Sequence, residues 1–267
     1  MYALDFEYDG ILASDYEIMI CSFDAGGVNT VNCGSQIKFN SIPLFNGTKY
    51  ALTSTMYEDG TKYTFQICKS NCYQTASPFS VEEQRRIFRW LNRNDGYHVL
   101  KICQEGYENI NFRGSFNIQS IQINGNVYGF ELTFITDSPF ADFDLERYVI
   151  NATSENYEYS FDDYSDNIGY IYPDIKIVCN ASGDLKIHNS IEDRTTIIKN
   201  CTNGEIITCD KYLNIATSLS SHKIYNDFNF TFFRIANKFN EIKNTLTFSI
   251  PCTVIIEYNP TVKGVGI

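Results

Sequence analysis

The sequence predicts a mainly β protein organised in two domains. Aromatic residues make up 15% of the chain, with 20 Phe and 19 Tyr against a single Trp, a composition that packs well across pleated surfaces. Short apolar runs in period-two alternation recur along the chain, bounded by Gly, Asn and Asp. An acidic stretch, 141–168, separates two such series. At 267 residues each half can bury its own core, although length alone also permits one large all-β domain.

Residues 1–40 alternate apolar runs with turn residues. Tyr16 to Cys21 reads as a strand and Asp24-Ala25-Gly26-Gly27 as a turn. Lys49 to Tyr57 reads as a second strand, Glu58-Asp59-Gly60 turns the chain, and Tyr63, Phe65 and Ile67 then share one face opposite Thr64 and Gln66. These two runs are expected to pair as a hairpin.

The one convincing helix begins at Ser80. Ser80 and Glu83 form an S-x-x-E capping box, in which the hydroxyl accepts from a first-turn amide and the carboxylate reaches back to the cap. Ile87, Phe88 and Leu91 fall on one face with Val81 on the same side, while Arg85, Arg86, Arg89 and Arg93 occupy the other sectors. Glu82 and Glu83 at the start and Arg89 and Arg93 near the end complement the macrodipole. Asn94-Asp95-Gly96 is expected to stop the helix through a left-handed glycine, and Tyr97 to Ile102 resumes as a strand.

Phe116 to Ile123 and Asn126 to Thr136 flank Asn124-Gly125, the pair that suits a type I′ turn because both positions need positive φ. Phe130, Leu132 and Phe134 form the inward face, and a phase change between Ile118 and Ile121 suggests a bulge. Residues 141–168 carry eight acids against Arg147 and read as a solvated linker between domains 1–140 and 169–267. The second half then offers strands at Asp174 to Cys179, Asp184 to His188, Thr195 to Lys199 and Glu205 to Cys209. Asn180 to Gly183 and Asn200 to Gly204 read as turns, and the spacing indicates a β-sandwich. Phe228, Phe230 and Phe232 alternate as a half-buried strand, and Asn244 to Ile256 reads as a strand pair bent at Pro251.

The formal charge of -11 argues against a nucleic-acid binder, which needs surplus Lys and Arg, and against docking on an anionic membrane. No apolar run is long enough to span a bilayer. The N-terminal residues MYALDFEYDG lack the basic and apolar regions of a secretory leader, so the nine cysteines are expected to be mostly reduced and buried. The sequons at Asn46, Asn151, Asn180, Asn200 and Asn229 then carry no glycan.

Candidate chemistry is sparse. Cys68 and Cys72 have no second ligand pair nearby, so no metal site is expected. Asp162-Asp163 reads as acidic surface, not as an active-site carboxylate pair. His98, His188 and His222 read as structural or surface residues, and Gly26-Gly27 as a plain turn. No enzyme activity and no cofactor are expected. The residues point to binding or assembly.

Several segments resemble the siphophage distal tail protein family. The signature is Trp90-Leu91-Asn92-Arg93 followed by Asp95-Gly96-Tyr97-His98, so that Trp90, Leu91, Asn92, Asp95 and Gly96 become signature scaffold positions. Gly10 to Ser14, Ile121 to Phe134 and Ser138-Pro139-Phe140 extend the resemblance, as do Gly169 to Pro173 and Phe228 to Ala236 in the second half. The resemblance implies an N-terminal β-sandwich with one helix and an extended belt that closes into a hexameric ring, and a galectin-like C-terminal sandwich. It implies a tail-tip hub in the virion, at the distal end of the tail, assembled in the bacterial cytoplasm. Its partners would be further copies of itself, the tail tube protein, the tail-associated tip protein and receptor-binding or baseplate proteins. The alternative is a carbohydrate-binding adhesion protein in which Tyr170, Tyr172 or Tyr225 of the second sandwich stack on sugar faces.

Overall fold

The structure, a computed structural model, describes residues 4–23, 36–43, 50–57, 60–70 and 77–264. The turns expected at Asp24 to Gly27 and at Glu58-Asp59, together with Cys72, Asn46 and the last three residues, lie outside the described residues. The fold is mainly β and divides into two compact units, Met1–Phe143 with Val262–Ile267, and Asp144–Thr261.

The first unit is built on an antiparallel sheet. Its strands run in the order Ile11–Leu12, Phe6–Tyr8, His98–Ile102, Ile110–Ile123, Asn126–Thr136, Lys62–Lys69, Ile18–Cys21. Asn124 and Gly125 have φ of 51° and 81° and join the two longest strands as the sequence predicts. The irregularity in the pair falls between Ile121 and Gln122, just beyond the stretch where the phase changes. Phe130, Leu132 and Phe134 are buried with Tyr63, Phe65 and Ile67, so alternation correctly identifies the inward face of both neighbouring strands.

The expected hairpin between Tyr57 and Tyr63 does not form. Lys62–Lys69 pairs with Asn126–Thr136 and Ile18–Cys21, while Tyr50–Tyr57 pairs with Ile37–Pro43 as a separate two-stranded ribbon. Both runs have strand periodicity, and burial against distant strands determines the partner. Tyr16 and Glu17 also leave the expected strand: Ala13–Tyr16 is a short 3-10 turn and Glu17 turns out at φ 58°.

The helix spans Val81–Leu91, with the Ser80–Glu83 capping box made in both directions. Its buried face is Ile87, Trp90 and Leu91, whereas Phe88 lies at the edge and Val81 is 73% exposed. The stripe therefore centres on Trp90, which fills the i+3 position between Ile87 and Leu91. Gly96 is not the helix cap. The turn ends at Asn92, whose N–H donates to the Phe88 carbonyl and whose side chain donates to the Phe116 carbonyl 3.3 Å away. Gly96, at φ 130°, serves the turn into the next strand.

The second unit is a sandwich. A five-stranded sheet runs in the order Glu146–Ala152, Cys252–Tyr258, Asp174–Cys179, Ile206–Cys209, Ile215–Thr217. The facing sheet runs Tyr157–Asp162, Lys243–Phe248, Gly183–Asn189, Arg194–Cys201. Ile150, Ile177, Ile207, Val254 and Ile256 share one core with Phe161, Leu185, Ile187, Leu246 and Phe248.

The stretch 141–168 is therefore not a linker. Ala141–Phe143 pairs within the first unit, and Glu146–Ala152 and Tyr157–Asp162 are strands of the second. Their acids alternate outward past Ile150, Ala152 and Phe161, so an acidic composition conceals a period-two pattern. Asp163 is buried: its carboxylate accepts from the Ser165 amide and hydroxyl, the Tyr258 hydroxyl and Asn237.

Two further expectations change in the second unit. Lys243–Phe248 and Cys252–Tyr258 belong to opposite sheets, because the chain crosses between them at Ser249-Ile250-Pro251. Phe228, Phe230 and Phe232 form no strand. Ile224–Asp227 is a short helix, Phe230 has φ 56°, and the Asn229 side chain bonds to Ile197 and Thr195 along the edge of Arg194–Cys201.

Candidate functional surfaces

Of the five signature positions of the first unit, Trp90 and Leu91 are buried, whereas Asp95 and Gly96 are exposed. Trp90 lies in the β-sheet core, stacked on Tyr16 at 4.6 Å and on Phe6 at 5.7 Å, with its indole N–H donating to the Tyr8 carbonyl at 3.2 Å. Offset and stacked rings of this kind add to the area term of burial. Leu91 is fully buried beside it. Asn92 ties the helix end to the central strand, as described above.

Just past the helix, Arg93 reaches Asp9 at 2.7 Å, and His98 stands between Asp95, 2.9 Å from Nε2, and Asp9, 3.4 Å from Nδ1. The Arg93 hydrogen bond holds the Asp9 carboxyl below its ordinary range, and the His98 contact does the same for Asp95. Asp9 sits at φ 54° in the turn before Gly10, joining Phe6–Tyr8 to Ile11–Leu12. This network clamps the helix end, the first hairpin and the strand His98–Ile102 together.

Two surfaces of this unit are exposed and apolar or charged. The ribbon Ile37–Pro43 with Tyr50–Tyr57 pairs with no other strand among the described residues, and it presents Ile37, Phe39 and Met56 to solvent. Its Tyr57 end is anchored by an edge contact with Phe140 and by Lys263, which donates to the Tyr57 hydroxyl at 2.7 Å. The outer helix face presents Arg85, Arg86, Arg89 and Phe88 around a concavity of about 410 Å³.

In the second unit, Tyr170 and Tyr172 come together edge-to-face at 5.5 Å. One face of Tyr170 is covered by the Arg234 guanidinium at 3.8 Å, itself held by the Glu192 carboxylate. Tyr225 stands elsewhere, on the helix Ile224–Asp227, exposed and with its hydroxyl donating to the Ile215 carbonyl at 3.2 Å. The structure thus pairs two of the three candidate sugar-stacking tyrosines and leaves the third apart. A shallow cleft of about 400 Å³ on the outer face of the five-stranded sheet is lined by Arg147, Asp174, Lys176, Asn214 and Glu257 among others.

His222 departs from the expectation of a polar loop. Its side chain is buried, with Nδ1 2.6 Å from Glu205, which also accepts from the Thr202 amide and the Thr217 hydroxyl. Asp227 lies 3.3 Å from Nε2. Burial opposes charge on His222, but the Glu205 hydrogen bond and charge outweigh it and raise the pKa. Burial likewise opposes charge on Glu205, but Thr217 and His222 hold its pKa down. Sequence reasoning missed this buried pair because two strands, Ile206–Cys209 and Ile215–Thr217, and the turn joining them separate the residues, and only the SSHK loop is visible in the string.

His188 bonds to Thr195 at 3.0 Å. Among the described residues the seven cysteines are free thiols, five of them buried, so they act as small core side chains. Also among the described residues, no group of three or more His, Cys, Asp or Glu is arranged to hold a metal ion. No described helix is long and apolar enough to cross a membrane.

Among the described residues both units are built of antiparallel strand pairs, and both leave apolar side chains exposed, Phe39 and Phe88 in the first and Phe230 and Phe239 in the second. Residues 1–138 match the family of phage tail protein N-terminal domains, and residues 142–258 match the phage tail C-terminal domain family. The chain belongs to this family of phage tail proteins. Its fold is similar to that of the crystallised SPP1 Dit (gp 19.1) protein. The TM-score is 0.65 at 12% identity, over 96% of this chain and 98% of that one. That protein is described as a paradigm of the hub adsorption apparatus in phages infecting Gram-positive bacteria. No curated protein sequence matches the chain.

Proposed function

We propose that this tail protein is the hub of a tail tip. Six copies close into a ring that joins the tail tube to the tail-associated tip protein and carries receptor-binding or baseplate proteins at its periphery. The role is geometric and not enzymatic. The observation that carries the reading is the similarity of fold to the SPP1 Dit protein over nearly the whole of both chains. The free ribbon supports it: Ile37, Phe39 and Met56 stand exposed on a two-stranded element anchored at one end, which suits a belt laid on a neighbouring copy. Heterologous contacts of this kind close into rings when the rotation per subunit divides the circle.

Gold-labelled antibody against the chain, applied to intact particles, tests the location. Label at the distal end of the tail is expected, and label spread along the tube or on the head would contradict the hub reading. A second reading, sugar binding by the C-terminal sandwich, is favoured only by the exposure of Tyr170 and Tyr225.

A further inference from the structure

The strongest charge contrast in the first unit lies on the helix. Although the chain is acidic overall, Arg85, Arg86 and Arg89 stand exposed on the outer helix face, with Glu82 the one carboxylate lining the same concavity among the described residues. Arg86 rests over the Tyr16 ring at 5.2 Å, and neither Arg85 nor Arg89 pairs with a carboxylate among the described residues. Phe88 and Val81 lie partly or largely open on the same helix. Arginines around an exposed aromatic are the composition of an interface centre, not of a solvated face.

An opposite patch exists on the same unit. Asp5 and Glu7, on and before the first strand, bring negative charge to the exposed thiol of Cys103, where burial, Asp5 and Glu7 together raise its pKa. Glu105 and Glu108 follow in the exposed connection between His98–Ile102 and Ile110–Ile123. This connection leaves the strand at the end opposite His98, and His98 lies beside the helix C-terminus. The two patches are carried by different elements, the helix and the strand connection, as a head-to-tail contact requires, and they approach each other only where the Ala13–Tyr16 turn takes Asp5 on Ser14 and Arg86 on Tyr16.

We infer that the Arg85–Arg86–Arg89 face receives the Glu105–Glu108 connection of a second copy of this chain, and that this contact propagates the ring. The inference rests on the ring reading above and names its partner surface. Charge complementarity fixes register and suppresses wrong pairings more than it adds affinity, which fits a repeated contact that must close after a fixed number of copies.

The test uses two full-length charge-reversed variants, R85E/R89E and E105K/E108K, with Arg86 left on Tyr16. Assembly is followed by light scattering over a wide concentration range, and folding by circular dichroism. Each variant alone is expected to melt like the wild type and to need at least about tenfold higher concentration to assemble. An equimolar mixture is expected to assemble again, because Glu-bearing helices then meet Lys-bearing connections and Arg-bearing helices meet native ones, an alternation that an even-membered ring accommodates. Should either reversal unfold the chain, the truncations R85A/R89A and E105Q/E108Q take its place, with weakened assembly expected for each. Variants that assemble like the wild type overturn the inference while leaving the ring reading standing, as does a mixture of folded variants that fails to recover. The same holds if R85E/R89E assembles normally and instead loses the tube protein. A wild type that remains monomeric overturns both.

Discussion

Replacing Trp90 with Ala removes the ring on which the first unit is centred. The indole is 4% exposed and stacks within 9° of parallel on both Phe6 and Tyr16. Large-to-small replacement of a buried aromatic costs about 3–5 kcal/mol, and the spread depends on how far the surroundings collapse. Collapse is limited here, because Tyr8 and Phe6 lie on one strand, in which Tyr8 is paired on both sides and Phe6 with Ile102. The Tyr8 carbonyl also loses its indole donor, which costs about 1–3 kcal/mol where the acceptor stays buried. These terms overlap, so the expected loss remains about 3–5 kcal/mol for Trp90→Ala and about 1–3 kcal/mol for Trp90→Phe, which keeps a ring but no donor. Urea unfolding followed by circular dichroism measures both, with the transition of the second unit as an internal reference. A loss below about 1 kcal/mol for the Ala variant would refute the packing argument, since surface positions give changes of that size.

Two glycines make a contrasting pair. At Gly125 the φ of 81° is strained for any side chain but the space around it is open, so Gly125→Ala is expected to cost about 1–2 kcal/mol. At Gly114 a Cβ would run into the Ile135 carbonyl, so Gly114→Ala should destabilise more, and equal midpoints in urea would contradict the register of these strands. Leu91→Ala, at a fully buried position, is expected to lose about 2–5 kcal/mol by the same measurement, and unaltered stability would show the helix packing to be misread. The Glu205–His222 pair predicts a pH optimum for the second unit. Glu205, lowered from 4.5, contributes stability above its unfolded value that is lost as pH falls through the folded one. His222, raised from 6.5, contributes below its unfolded value and loses that contribution as pH rises through the folded one. Melting temperature should therefore peak between the unfolded values, and His222→Gln should flatten the alkaline limb; an unchanged limb would remove His222 from the account.

Much of the fold was legible where local chemistry and final burial agree. The Ser80–Glu83 box, the Asn124-Gly125 turn and the Phe130–Leu132–Phe134 face are set by interactions within a few residues. What failed depended on distant partners. Tyr50–Tyr57 and Lys62–Lys69 both alternate like strands, but nothing local says that the second belongs beside Asn126–Thr136 and the first to a separate ribbon. The acidic composition of 141–168 hid two strands, because outward carboxylates dominate the count while Ile150 and Phe161 carry the burial. Phe228 to Phe232 misled for the opposite reason: the alternation is real, but Phe230 turns through positive φ, so the backbone pairing with the neighbouring strand stops at a single bridge from Phe228 and the Asn229 amide, supplemented by the Asn229 side chain. Of the candidate surfaces, the place of Trp90 on the buried helix face, the Glu205–His222 pair and the arrangement of Tyr170 on Arg234 emerge only in three dimensions.

The mass of the purified assembly tests the hub most directly. Light scattering on the full chain should give six times the 30.6 kDa protomer mass, with ring-shaped particles in micrographs taken with and without the tube or tip protein. A monomeric mass across a wide concentration range, with no ring even when those partners are present, would contradict the hub.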